Sequence, residues 1–157
     1  MSEIAFVSGH RDVSDDEFEA HYKPLLDNAV KNNHLIVVGD YQGVDYLAQR
    51  YLKDINYSNV IVYHMFVKPR YYVEGYATRG GYQGDEERDS AMTIASTYDI
   101  AWVRPGKEKS GTAINLKRRQ KINLNRTYGK TVSIENKNYE KSLGDLLTMI
   151  KAVSMYP

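Results

Sequence analysis

The sequence predicts an α/β fold, a Rossmann-like three-layer sandwich around a mostly parallel sheet of about five strands. Three observations carry that expectation. Short apolar runs at 4–7, 34–38, 60–63 and 98–103 read as strands buried on both faces. Helical stretches of about 10–20 residues separate most of them, the pattern of parallel strands joined by crossover helices. Polar, Gly-containing segments follow the strands, as strand-to-helix turns require.

Each element has a local reason. Ile4-Ala5-Phe6-Val7 is a strand that ends at Ser8-Gly9. Ser14 before Asp15, Asp16 and Glu17 is an N-cap with acids in the first helical turn. Pro24 suits the first turn of a renewed helix, with Phe18, Tyr22, Leu25, Leu26 and Ala29 as its apolar face. The run from His34 to Val38 stops at Gly39, and Gly43 to Lys53 reads as helix. Residues 65–83 hold Pro69, four tyrosines and Gly80-Gly81 without a period, and read as a long loop. Helix is expected from Gly84 to Thr97 and from 111 to about 124. Thr131 to Ile134 reads as a weaker fifth strand, and Lys141 to Ser154 as a last amphipathic helix. The expected organisation is one domain over 1–157, with a core at about 3–134 and a terminal helix at about 141–154.

Composition excludes several chemistries. The 157 residues contain no cysteine, which removes thiol catalysis, disulfides, zinc–thiolate sites and Fe–S clusters. Four histidines, at 10, 21, 34 and 64, lack ligand spacing, so no metal and no cofactor is expected. Neither Gly-x-Gly-x-x-Gly, nor a Walker A sequence, nor a Gly-x-Ser-x-Gly elbow is present. No stretch approaches the ~18 apolar residues of a membrane span. The first residues lack a basic segment before an apolar run, so no signal peptide is read and a cytoplasmic location is expected.

The net charge of +1 conceals an asymmetry. Residues 1–60 carry five Lys/Arg against ten Asp/Glu; residues 100–130 carry nine against one. The basic segment is either a solvated helix face or an anion-binding surface. In a doubly wound sheet, ligands bind outside the carboxyl ends of the strands, where strand order reverses. Four segments should converge there: Ser8-Gly9-His10-Arg11-Asp12, Gly39-Asp40 with Gly43 to Asp45, the Arg79 to Arg88 stretch, and Ser110-Gly111-Thr112. The last opens a helix, whose free amides and dipole can seat an anion. Ser110 equally suits a plain N-cap.

Glu87-Arg88-x-x-x-Met92, Asp99-Ile100-Ala101-Trp102-Val103 and Ser110-Gly111-Thr112, taken in order, resemble the SLOG superfamily. These are Rossmann-like proteins related to LOG-type phosphoribohydrolases and to nucleotide-sensing domains of bacterial defence systems. Ser8 to Asp12 and Gly39 to Ala48 resemble the first two nucleotide-facing loops of that superfamily, and the likeness covers about 3–122. The resemblance implies a site for a nucleotide or nucleoside phosphate. It makes Arg88 a catalytic or phosphate-facing residue, and Gly111 and Thr112 phosphate-binding. Two departures matter. Asn115 stands where the LOG pattern has Glu, and Asp89 stands where it has Lys. Glu87-Arg88-Asp89 is also similar to nucleoside deoxyribosyltransferase relatives, in which a carboxylate faces the sugar C1′. The resemblance further implies a homo-oligomer, with 65–83 and the terminal helix as candidate contacts.

Three functions follow as expectations. The first is capture of a small nucleotide ligand by Ser8, Gly9, Arg11, Gly39, Asp40, Gly43, Asp45, Ser110, Gly111, Thr112 and Asn115, together with Arg88. The second is cleavage or transfer at the N-glycosidic bond of a nucleoside 5′-monophosphate. Glu87, Arg88 and Asp89 are its catalytic candidates, because an oxocarbenium-like sugar centre needs a carboxylate. The third, less favoured, is nucleic-acid binding by the basic 104–130 segment.

Overall fold

The computed structural model describes residues 2–135. In chain order they form β1 (Ile4–Ser8), α1 (Asp15–His21), α2 (Lys23–Lys31), β2 (Leu35–Val38), α3 (Val44–Asp54), β3 (Val60–Met65), β4 (Ala77–Tyr82), α4 (Asp85–Ala95), β5 (Tyr98–Ala101) and α5 (Gly111–Glu135). The five strands make one parallel sheet in the order β4-β3-β2-β1-β5. The chain divides into two compact units, the first ending at Leu116 and the second beginning at Lys117. The sheet belongs to the first.

Alternation along the strands builds the layers. Ala5, Val7, Ile36, Val38, Val60 and Val62 point to one face, where they meet Phe18, Tyr22 and Leu26 of the α1–α2 region and Val44, Ala48 and Leu52 of α3. Phe6, Val37 and Tyr63 point to the other, where Met92 of α4 covers them. Both faces are thus covered, as a parallel sheet requires. The Ser14 side chain accepts the Glu17 amide while the Glu17 carboxylate accepts that of Ser14, a complete capping box. Pro24 lies in the first turn of α2, as expected.

Two expectations are corrected. The segment 65–83 is not all loop, because Ala77–Tyr82 is strand β4 at the sheet edge. Five of its six residues are exposed, so it presents no apolar period to read. Its place comes from backbone pairing to β3, and from Gly80, whose missing side chain leaves room for the buried His64 ring. The strand expected at Thr131–Ile134 is instead helical. α5 runs past 124 to Glu135, since extending an existing helix adds a hydrogen bond per residue whereas β-branched residues only favour a strand where a sheet receives them. The expected helix at 141–154 lies outside the described residues. Among those described, no helix is long and apolar enough to cross a membrane.

One buried hydroxyl ties the end of β1 to the chain just past the edge strand β5. The Tyr22 hydroxyl donates to the Ser8 carbonyl at 2.9 Å and accepts the Trp102 amide at 3.0 Å. Tyr22 is fully buried. Tyr22→Phe leaves both backbone groups unsatisfied and is expected to lower stability by about 1–3 kcal/mol. Urea unfolding checks this, and an unchanged midpoint would show that the hydroxyl ties nothing.

Candidate functional site

The chain grows outward from β1 through β2 and β3 to β4, then returns to the far side of β1 as β5. Strand order therefore reverses between β1 and β5. At that point lies a cavity of about 250 Å³. Four segments distant in sequence line it. Ser8, Gly9, His10 and Arg11 follow β1; Tyr41 and Asp45 follow β2; Asp85, Arg88, Asp89 and Met92 lie on α4; Ser110, Gly111, Thr112 and Asn115 open α5. Phe6 also lines it, on the same strand face as Ser8 and packed against Met92. The volume suits one small molecule, falling just below the ~300–1,000 Å³ of drug-sized pockets.

Of the residues singled out from sequence, Ser8, Gly9, Arg11, Asp45, Arg88, Asp89, Ser110, Gly111, Thr112 and Asn115 line this cavity. Glu87 does not. It is exposed and accepts the Gln83 amide at 2.7 Å. Residues 85, 88, 89 and 92 share one helix face, and 87 lies off it. Gly39, Asp40 and Gly43 act from behind the wall. A side chain on Gly39 would collide with the Asp45 carboxylate and crowd the Arg88 guanidinium. Gly43 has φ +83° and lies against the backbone of His10 and Arg11, so it brings α3 close to the first loop.

Asp40 is the buried centre of an ionic cluster. It is fully buried. It accepts the Arg70 amide at 2.9 Å, Arg70 Nε and Nη2 at 3.1 and 3.0 Å, and Arg88 Nη1 at 2.7 Å. Burial pushes its carboxyl up, but the Arg70 hydrogen bonds and the two arginine charges outweigh this and hold it below the ordinary value. Arg88, only 4% exposed, also meets Asp85 at 2.9 Å and Asp89 Oδ1 through Nη2 at 2.8 Å. Three carboxylates thus surround the arginine, which orients them more than it offers itself to an anion. Burial works against the Arg88 charge, and Asp45, Asp89 and Asp85 more than offset it. Nothing in the composition of 65–83 marked Arg70, which stacks on Tyr41 at 4.9 Å.

Across the cavity the groups are donors. Ser110 caps α5, its Oγ accepting the Ala113 amide at 3.2 Å. The cap leaves two amides over, because those of Gly111 and Thr112 donate to no partner among the described residues. Ser8 Oγ is buried without a hydrogen-bond partner. Asn115, 2% exposed, donates to Asp89 Oδ2 at 3.1 Å and so joins the donor wall to the acidic one. His10 Nε2 accepts the Arg104 amide at 2.9 Å, which leaves the ring proton on Nδ1. Arg104, the first cation of the basic segment, pairs with Asp12 at 3.0 Å and Glu17 at 2.8 Å.

Comparison with protein-family models, with curated proteins and with solved structures gives no match for this chain. The reading of the site therefore rests on its own geometry.

Asp45 differs from the other carboxylates. It accepts the Tyr41 amide at 3.1 Å, and its burial pushes its pKa up to about 7 despite the nearby Arg88 charge. The folded chain therefore holds a proton that the unfolded chain has already lost above about pH 4. Stability from this group is fully present in acid and is lost as pH rises from about 4 to about 7. Asp45→Asn removes that titration. The variant is expected to gain stability relative to the parent across this window and to level off above it, read by urea unfolding at a series of pH values. A pH-independent difference would show that Asp45 titrates like an exposed carboxyl.

Proposed function

We propose that this chain binds a nucleotide or a nucleotide-derived small molecule at the β1/β5 reversal. Phosphate sits on the Gly111 and Thr112 amides, and the sugar hydroxyls face the carboxyl groups of Asp45 and Asp89. One observation carries this reading: the buried, unpartnered Ser8 Oγ stands with the unpaired amides of a helix start around one cavity. A buried polar atom without a partner is costly, and a ligand oxygen would relieve that cost. The acidic wall suits a ligand whose other end carries hydrogen-bond donors, as ribose and the exocyclic amines of bases do.

A second reading draws on the Asp89–Asn115 contact. The chain departs from the LOG pattern at these two positions, with Asp for Lys and Asn for Glu, and they touch at 3.1 Å. The two exchanges form a pair that moves a carboxylate from the α5 wall to the α4 wall. Asp89 then supplies the charge that an oxocarbenium-like sugar centre requires, and protonated Asp45 is an acid for the leaving base. That arrangement would cleave or transfer at an N-glycosidic bond.

Gly111 offers a clean test, because a Cβ there meets no atom within 4 Å. Gly111→Glu puts a negative charge at the helix start, which favours the helix but repels a phosphate. Nucleoside 5′-monophosphates are expected to raise the melting temperature of the parent, by an amount worth about 2.7 kcal/mol at a hundredfold excess over Kd. The variant should fold as well and lose that shift. A shift retained in Gly111→Glu would remove the phosphate from this seat. Chromatography of the same mixtures separates the two readings. Free base that disappears in Asp89→Asn supports cleavage, and nucleotide recovered intact supports capture alone.

A further inference from the structure

A second cavity, of about 570 Å³, adjoins the first and shares His10, Arg11 and Ser110 with it. We propose that it is a second anion subsite, which takes an additional phosphate group of the ligand, so that the preferred ligand is a nucleotide bearing two or more phosphates. The proposal rests on the nucleotide reading above and goes further by naming the ligand class.

Charge supports it first. Arg11, Lys107 and Lys109 line the second cavity with only Asp12 and Glu108 as acids. Both acids are already engaged. Asp12 pairs with Arg104 at 3.0 Å, and Glu108 accepts the Gly106 amide at 2.9 Å. Arg11, Lys107 and Lys109 have no side-chain hydrogen bond or ion pair among the described residues. A concave surface with an excess of uncommitted cations attracts an anion.

The loop that carries the lysines is also built rather than loose. The Arg104 carbonyl accepts the Lys107 amide at 2.9 Å, and the Lys107 carbonyl accepts that of Ser110 at 3.0 Å. Gly106, at φ +87°, makes the turn between them. The base is anchored by the Arg104 guanidinium on Asp12 and Glu17 and by the Arg104 amide on His10. His10 stands on the wall common to both cavities. Its Nε2 is occupied, so the donor the ring has left is Nδ1–H. Burial, and next the Arg104 charge, hold its pKa down, so this donor is neutral near pH 7.

The test uses the full chain and calorimetric titration at fixed salt. The probes are the 5′-monophosphates of the four common bases, their 5′-diphosphates, inorganic phosphate and pyrophosphate. The 5′-diphosphate of the preferred base is expected to bind at least about tenfold more tightly than its monophosphate, from added charge-assisted hydrogen bonds. In Lys107→Gln/Lys109→Gln, two exposed positions, that gain should vanish while monophosphate affinity is unchanged. Added salt should erode the gain more than it erodes monophosphate binding. Equal affinity for the two nucleotides, or a gain that survives the double variant, overturns the second subsite and leaves the nucleotide reading standing. Lysine-dependent binding of pyrophosphate without any nucleotide binding keeps the anion subsite and overturns the nucleotide reading. Binding of none of the probes overturns both.

Discussion

A carboxylate with no access to water organises this molecule. Asp40 sits at the end of β2 and is held by Arg70 from the segment before β4 and by Arg88 from α4. An isolated charge buried so deeply would be strongly destabilising, and removing one partner of such a cluster typically costs about 3–5 kcal/mol. The cluster therefore constrains every segment that feeds it. Through Arg70 it places the stretch after β3, whose backbone is further tied by Tyr71 donating to the Asp40 carbonyl and by the buried Gln49 side chain bonding Tyr71 and Val73. Through Arg88 it sets the face of α4 that turns Asp85 and Asp89 toward the cavity. The acidic wall of the site is consequently fixed by this buried cluster.

How much of this the sequence carried depends on what kind of interaction did the work. Where side chains alternate into two cores, as in Ala5-Phe6-Val7 or Leu35 to Val38, the apolar pattern is itself the structural cause, and four strands could be read from it. β4 could not, because Ala77 to Tyr82 is held by backbone pairing and by the room Gly80 leaves for His64, and neither leaves a trace in hydropathy. At 131–134 the β-branched residues pointed to a strand, but propensity is a weak local term beside helix continuation. The same division holds at the site. Turn chemistry and helix starts identified the loops that meet. Which charges neutralise one another was not visible, because Asp40, Arg70 and Arg88 follow at intervals of 30 and 18 residues and no periodicity links them.

The charge asymmetry also acquires a location. Four of the ten acids in the first sixty residues have defined places at or near the site. Asp12 and Glu17 neutralise Arg104, while Asp40 and Asp45 help form the acidic side of the cavity. What remains of the basic segment near the site is the Lys107–Lys109 rim, beside a donor wall of amides and hydroxyls. The cavity lined by Asp85 and Asp89 adjoins the one lined by Lys107 and Lys109, so charges of both signs meet within the span of a compact ligand. That pairing of walls suits the proposed ligand, with its phosphate on one and its hydroxyls on the other.

That polarity also bears on Asp89 and Asn115. A second carboxylate at position 115 would face Asp89 at hydrogen-bond distance, and two such groups cannot both ionise without a large penalty. An amide there donates to Asp89 Oδ2 while Arg88 holds Oδ1. Asp89 is thereby oriented from both sides, yet it stays partly open, with its side chain 17% exposed. A carboxylate serving only to neutralise Arg88 would need neither the amide nor the opening. Next to it, buried Asp45 keeps its proton near neutrality. A carboxyl that burial holds protonated, in one cavity with a carboxylate aimed by an arginine and an amide, is an arrangement suited to acid–base chemistry, and it is a stronger reason to look for turnover than any single residue of the wall.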